Sequence, residues 1–300
     1  MNNNLISITY CSINEQKNLF YIANKGEKIY KEFYHSLDDR VLGSLFFQPS
    51  TRTQFSFQSA FVRLGGKYIG CSDISQTRSG PPYYESIEDL GRIISNYCDI
   101  IVMRTIDDLQ TKQLCLGACV PIISAGSGNV EHPTQALTDL FTIHKNFGEL
   151  SNHNILIIGT PRQRTINSFI KGMEMWGRNN YHILCQSGIY LDETIVDNLD
   201  KSSVFYYNSW SDVIDSGICK TLSIIYIDKF FYETHFHTKY VLDEERFKNV
   251  ISNDAIILHP LPRTAELPKY VDNYSGARYF EQARNGLYIR SALFLSQFCL

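Results

Sequence analysis

The chain has 300 residues, of which 44% are hydrophobic and 20% are charged, and its formal net charge is −3. This composition is typical of a globular protein, and the length favours two domains of about 150 residues each. The small net charge argues against a nucleic-acid or anionic-membrane partner, and no apolar run approaches the roughly 20 residues that span a bilayer.

Short apolar runs with β propensity alternate with segments of helical periodicity along the chain. The predicted strands are 41–47, 66–71, 99–104, 120–126, 154–159, 181–185, 221–227 and 255–259. The predicted helices are 51–63, 85–97, 132–146, 164–176 and 284–298. The strands are continuously apolar rather than alternating, which is typical of parallel strands that helices cover on both faces. The sequence therefore predicts an α/β fold with two doubly wound parallel-sheet domains.

The break between the two series of strands lies near 127–133. The sequence GSGNVEHP interrupts regular structure there, just ahead of a predicted helix. We therefore expect the first domain to end at about residue 130.

The eight cysteines follow no spacing typical of zinc ligands or disulfides. Cysteines 115 and 119 lie four residues apart, but neither a second pair nor a histidine accompanies them. We therefore expect free thiols, no metal site and a cytoplasmic protein.

Polar side chains follow three predicted strands of the first domain. The turn Ser50–Thr53 follows strand 41–47, and Arg104 is the last residue of strand 99–104. The loop after strand 120–126 carries His132 and Gln135. Ligands of parallel α/β sheets bind beyond the carboxyl ends of the strands, and a hydroxyl-rich helix start attracts anions. Taken alone, Arg104 could equally be a salt-bridge partner, and His132 could equally cap the following helix. Together, these groups indicate a phosphate-bearing substrate with a carbonyl to polarise.

The motifs that carry this chemistry also carry a resemblance to a known family. The sequences PSTRT, VMR, HPTQALTDLFTI, HPLPR and YFEQARNGLYIRSALF occur in series over nearly the whole chain. They resemble the aspartate and ornithine carbamoyltransferases, and the aspartate branch more closely. The resemblance implies a carbamoyl-phosphate-binding domain at 1–130, an acceptor-binding domain at 131–285, and a final helix that crosses back so that 286–300 completes the first domain. It also implies a homotrimer with active sites shared between neighbouring subunits.

The resemblance assigns roles residue by residue. The phosphate of carbamoyl phosphate would be held by Ser50, Thr51, Arg52 and Thr53. The carbonyl oxygen would receive hydrogen bonds from Thr53, Arg104 and His132, so these three and Arg52 are the expected catalytic residues. The carbamoyl NH₂ would be held by Gln135 and by the backbone carbonyls of Pro260 and Leu261. The acceptor amine would then attack without any cofactor, metal or covalent intermediate.

One loop departs from the family pattern near residues 76–86. The aspartate branch carries a serine and a lysine there that reach the neighbouring subunit's site, whereas this chain has Tyr83 and Tyr84 and lacks the lysine. Arg78 in the same loop is the candidate that would restore the positive charge. A solvated arginine is the alternative.

The acceptor side departs as well. Arg164 matches the arginine that holds the acceptor's carboxylate, and Leu261 is expected beside the acceptor. Tyr226 and Asp228, however, stand near the place of an Arg-Val-Gln step whose arginine holds the second carboxylate of aspartate. The Tyr-Ile-Asp sequence resembles the ornithine branch, and an acidic group facing a carboxylate would repel it.

Three hypotheses follow for function. The first is a carbamoyltransferase whose acceptor is an amino acid other than aspartate, such as a diamino acid. The second is an aspartate carbamoyltransferase of pyrimidine biosynthesis with divergent loops. The third is a non-catalytic homologous subunit, suggested by the missing lysine. We take the first as the main prediction, with carbamoyl phosphate and an amino acid as substrates.

Overall fold

The computed structural model of the chain describes residues 4–73, 85–199, 202–230, 237–251 and 254–300. Its contacts divide the chain into two units: unit 1 comprises Met1–Phe141 with Arg284–Leu300, and unit 2 comprises Thr142–Ala283. The assignment of one predicted domain to each substrate stays a prediction. Within the described part of the chain, no helix is both long and apolar enough to cross a membrane.

Unit 1 is built on a parallel sheet with the strand order β2-β1-β3-β4. Its strands are β1 Val41–Phe46, β2 Lys67–Cys71, β3 Ile100–Thr105 and β4 Ile122–Ser127. The helices that begin in this unit are α1 Ile13–Ala23, α2 Lys28–Glu32, α3 Thr51–Arg63, α4 Ile87–Ile94, α5 Asp108–Gly117 and α6 Pro133–Phe147.

Unit 2 contains a second parallel sheet with the strand order β7-β6-β5-β8-β9. Its strands are β5 Asn154–Ile158, β6 Asn180–Leu184, β7 Ser203–Tyr207, β8 Ile224–Ile227 and β9 Ile256–Leu258. Its helices are α7 Arg164–Trp176, α8 Glu193–Val196, α9 Trp210–Asp215, α10 His237–Tyr240 and α11 Glu244–Val250. The last helix, α12 Tyr279–Gln297, begins in unit 2 and ends in unit 1.

The apolar periods of the sequence account for these elements. Strands β3 and β4 are buried at nearly every position because helices cover both faces of the sheet. Helix α3 buries Phe57 and Phe61, and both rings pack edge-on against Phe294 of α12. The predicted fold class, including the final helix that returns to the first domain, is confirmed.

The main differences from the prediction lie at the edges of the sheets and on the surface. Strand β7 was not predicted, because it is an edge strand whose residues are half-buried or exposed and therefore lack a continuous apolar pattern. Helix α1 was also missed, although a Ser12–Glu15 capping box marks its start. Helices α3 and α7 begin and end where they were predicted.

Candidate active site

The strand register of unit 1 brings the predicted anion-binding groups to one edge of its sheet. Phe46 of β1 pairs with Arg104 of β3, and the Phe47 N–H donates to the Arg104 carbonyl at 2.8 Å. On the other side of β3, Thr105 pairs with Ser127 at the end of β4. The start of α3, Arg104 and the loop that leads to His132 therefore follow the ends of neighbouring strands.

The start of α3 is an open cationic turn. Ser50 lies outside the helical region (φ −157°, ψ 86°), and its Oγ donates to Thr53 Oγ1 at 3.0 Å instead of capping a backbone N–H. The first helical hydrogen bond runs from the Gln54 N–H to the Ser50 carbonyl at 3.0 Å, so the three preceding amides have no intrahelical acceptor. Arg52 is exposed and makes no ion pair within the described ranges. Such a helix start is suited to an anion.

Arg104 is half-buried and is held across the neighbouring strand. Its Nη1 donates to the Ala125 carbonyl of β4 at 3.2 Å. Behind it, the hydroxyls of Thr105, Thr111 and Ser127 are buried and bonded to one another, at 2.7 Å between the two threonines and 2.9 Å from Thr111 to Ser127. This cluster ties the ends of β3 and β4 to α5, and so fixes the backbone on which Arg104 stands.

His132 lies at the start of α6, where its carbonyl accepts from the Gln135 and Ala136 N–H groups at 3.0 and 3.1 Å. Its side chain is buried. The preceding residue, Glu131, is also buried and accepts from the Ile8 N–H at 3.1 Å, so the N-terminal turn holds the loop in place. Sequence reasoning missed Glu131, although it stands directly before the HPTQ motif.

The HPLPR turn of unit 2 is shaped by a buried histidine–carboxylate pair. The Leu261 N–H donates to His259 Nδ1 at 2.7 Å, which leaves Nε2 as the protonated nitrogen that donates to Glu266 Oε1 at 3.0 Å. The Thr264 N–H donates to the same carboxylate oxygen at 2.8 Å. Leu261 adopts φ +57°, and within the described ranges neither its carbonyl nor that of Pro260 accepts a hydrogen bond. Both predicted carbonyls thus remain open to a ligand.

The carboxylate that holds this turn was not predicted. Burial by itself raises the pKa of Glu266, but hydrogen bonds from His259 and Thr264 outweigh it and lower the pKa to about 2. The residue stands seven positions after His259, and nothing in that spacing indicates the contact.

The predicted acceptor-binding residues at the start of α7 and the end of β8 differ in how deeply their side chains are buried. Arg164 is half-buried at the start of α7; burial lowers the pKa of its guanidinium, and the charge of Asp228 opposes that shift. Asp228 is buried, and its carboxylate accepts from the Thr165 hydroxyl and, at 2.7 Å, from the Lys229 N–H. Tyr226 has no exposed surface, and its ring stacks on Phe169 with centroids 4.5 Å apart.

One prediction concerns residues that the structure does not describe. Arg78, the candidate for the missing loop cation, and the neighbouring tyrosines at 83 and 84 lie outside the described residues. Within the part of the chain that is described, no group of three or more His, Cys, Asp or Glu side chains could hold a metal ion.

Family models match both halves of the chain. Residues 3–145 match the model described as aspartate/ornithine carbamoyltransferase, carbamoyl-P binding domain. Residues 151–297 match the model described as aspartate/ornithine carbamoyltransferase, Asp/Orn binding domain. The two matches together cover nearly the whole chain.

Curated relatives and solved structures are similar over almost their full length. The aspartate carbamoyltransferase catalytic subunit of Clostridium acetobutylicum is 35% identical over 289 residues, which cover 94% of this chain and 93% of the relative. That of Clostridium kluyveri is 35% identical over 300 residues, covering 97% and 96%. The structure of the M. jannaschii aspartate transcarbamoylase catalytic subunit superposes with a TM-score of 0.86 at 28% identity, covering 99% and 98%. The Trypanosoma cruzi enzyme in complex with carbamoyl phosphate gives 0.88 at 25% identity, covering 98% and 95%.

These relatives overturn the main prediction about the acceptor. Each is named an aspartate carbamoyltransferase or transcarbamoylase, which favours the second hypothesis over an acceptor other than aspartate. The structure supplies a physical reason for the error. Asp228 was expected to repel a substrate carboxylate, but its own carboxylate is buried and satisfied by Thr165 and Lys229.

Proposed function

The chain belongs to the aspartate/ornithine carbamoyltransferase family and is a carbamoyltransferase, and from this premise we propose that it carbamoylates the amino group of aspartate. The observation that carries the proposal is the open cationic start of α3 beside Arg104. There unit 1 offers a phosphate three amides without an intrahelical acceptor, two hydroxyls and a guanidinium. The choice of aspartate is supported by the names of the relatives.

The proposed reaction follows from the groups of unit 1. Arg52, with the hydroxyls and amides of Ser50, Thr51 and Thr53, binds the phosphate of carbamoyl phosphate. The neutral amine attacks the carbonyl carbon, and Arg104, His132 and Thr53 donate hydrogen bonds to the oxygen on which negative charge grows. The carbon–oxygen bond to phosphate then breaks, and the departing phosphate takes the proton that the amine loses. Each such donor contributes about 10²–10³ in rate.

Unit 2 supplies the groups proposed for the acceptor. Arg164 is the ligand for a carboxylate, because a guanidinium pairs with a carboxylate through two parallel hydrogen bonds. The open carbonyls of Pro260 and Leu261 accept from the carbamoyl NH₂, and the Leu261 side chain borders the acceptor. Tyr226 and Asp228 pack β8 and support the start of α7 instead of binding the acceptor directly.

The acceptor is tested by phosphate release from carbamoyl phosphate. We expect release with aspartate at a micromolar-to-millimolar KM, and at least about tenfold lower kcat/KM with ornithine or 2,3-diaminopropionate, because each of these carries a cationic amine in place of the second carboxylate of aspartate. A preference for either diamino acid would contradict aspartate as the acceptor. No turnover with any amine, together with no carbamoyl-phosphate binding, would identify a non-catalytic subunit.

We also propose that the chain forms a homotrimer. The support is the edge strand β2, of which Lys67–Gly70 are exposed, including Tyr68 at 48% and Ile69 at 42%. Exposed apolar side chains on an unpaired sheet edge favour contact with another chain, and the number of three subunits comes from the family resemblance. Sedimentation equilibrium should give three times the 34.5 kDa chain mass. A monomer at micromolar concentration would contradict the proposal, and Tyr68→Lys is expected to shift the equilibrium towards smaller species.

A further inference from the structure

We propose that Asp139 makes the site specific for a carbamoyl group, because it decides which end of the Gln135 amide faces the ligand. The sequence motifs indicate Gln135 as a ligand of the carbamoyl NH₂, but they assign no role to Asp139 and do not indicate its contact with Gln135. The inference rests on the proposed function, since it assumes that carbamoyl phosphate binds beside Gln135.

The hydrogen bond between the two residues sets the direction of the amide. Gln135 Nε2 donates to Asp139 Oδ1 at 2.7 Å. An ionised carboxylate accepts hydrogen bonds and cannot donate them, so only the NH₂ end of the amide can turn towards Asp139. Asp139 is fully buried and lies one helical turn beyond Gln135 on the same face of α6. The Gln135 carbonyl oxygen is therefore the end left for a ligand.

A buried arginine favours the ionised form of Asp139. Arg290 of α12 is 5% exposed, its Nη1 donates to Ser56 Oγ at 2.8 Å, and its guanidinium lies 4.8 Å from the Phe57 ring centroid. Burial lowers the pKa of Arg290 to about 10, while the charge of Asp139 opposes the shift. Arg290 is thus still charged at neutral pH, and its field favours a carboxylate over a carboxylic acid.

A glycine one turn earlier on α12 leaves room for the Arg290 guanidinium. A Cβ at Gly286 would stand 2.6 Å from Arg290 Nη1, so the glycine leaves the space that the guanidinium fills. Arg290 also joins the arrangement to α3, because Ser56 and Phe57 belong to the helix whose start carries Arg52.

The chemical consequence is that the site distinguishes a carbamoyl NH₂ group from other groups of similar size. A carbamoyl NH₂ donates to the Gln135 carbonyl oxygen. A carboxylate in the same place would bring its oxygen against the Gln135 carbonyl oxygen, and two hydrogen-bond acceptors repel each other. A methyl group would leave the Gln135 carbonyl oxygen without a donor. A site built to pair with an N–H strongly rejects analogues that lack it.

Two stable analogues test this discrimination by equilibrium binding. Phosphonoacetamide presents an NH₂ where phosphonoacetate presents a carboxylate oxygen. Isothermal titration calorimetry should show that the wild type binds phosphonoacetamide at least about tenfold more tightly. Asp139→Asn, whose amide can both donate and accept, lets Gln135 turn either way, so the preference should fall about fivefold or more. Asp139→Glu, which keeps an acceptor-only partner, should retain a preference for the amide.

A double-mutant cycle separates positioning from a general structural effect. In a Gln135→Ala background, Asp139→Asn should leave the ratio of the two dissociation constants unchanged. Equal weakening of both ligands by Asp139→Asn, or the same change of ratio without Gln135, would overturn the inference. Should Asp139→Asn not fold, loss of the preference in Asp139→Glu or equal wild-type affinity for both ligands would overturn it. Failure of the wild type to bind phosphonoacetamide at all would instead contradict the proposed function.

Discussion

Arg52→Ala is expected to lower kcat at least about tenfold, and by up to about 10³-fold, without lowering stability. The guanidinium stands at the open start of α3, where it is exposed and makes no ion pair within the described ranges. Its removal therefore breaks no ion pair of the described residues, whereas the phosphate loses a charged donor as it leaves. Steady-state phosphate release and thermal unfolding, measured on the same preparations, check both halves of the expectation.

A matched control lies on the same helix. Arg63→Ala removes the same charge from the last turn of α3, where the side chain is exposed and pairs with Glu27 at 3.4 Å. We expect its kcat to stay within about twofold of the wild type, because a surface ion pair contributes only about 0–1 kcal/mol and lies at the opposite end of the helix. Equal rates in the two variants would remove Arg52 from the phosphate site.

Glu266→Gln is expected to lower the free energy of unfolding by about 2–4 kcal/mol at pH 7. The carboxylate is buried and accepts from His259, at 3.0 Å, and from the backbone N–H and hydroxyl of Thr264. An amide cannot accept from all of these donors, because one of its ends is an NH₂ group. Urea unfolding followed by fluorescence measures the loss. Glu245→Gln, an exposed substitution in the same unit, should stay within about 0.5 kcal/mol of the wild type.

The pH dependence of the same substitution has a definite sign. Because hydrogen bonds lower the folded-state pKa of Glu266 from 4.5 to about 2, against the effect of burial, its contribution to stability is complete above about pH 4.5. That contribution is lost as the pH falls from about 4.5 through about 2. The difference in unfolding free energy between the wild type and Glu266→Gln should therefore shrink between pH 5 and pH 3. A difference that grows on acidification would contradict this assignment.

The two substitutions also separate the roles of the two units. Arg52→Ala should change turnover but not stability, since its side chain makes no ion pair within the described ranges. Glu266→Gln should change stability first, and turnover only through the Leu261 backbone that the His259–Glu266 pair holds.

Much of the fold follows from local patterns. Continuous apolar runs such as 99–104 and 154–159 predict strands that are buried on both faces, and β3 and β5 lie there. Hydroxyls ahead of an amphipathic run predict the start of α3 at Thr51. Strand β7 escaped prediction because one side of an edge strand has no covering layer to impose an apolar pattern.

Some features of the candidate site likewise follow from the sequence, and others only from the tertiary structure. The sequence by itself determined the order of the elements, the chemistry at the strand ends and the motifs at Ser50–Thr53 and His132, because periodicity and capping depend on neighbours within a few residues. Only the tertiary structure decided which carboxylates are already satisfied: Asp228 by Thr165, Glu266 by His259, and Asp139 by Gln135. A carboxylate's role depends on the donors and the dielectric around it, and both are fixed only when the folded chain packs around the carboxylate.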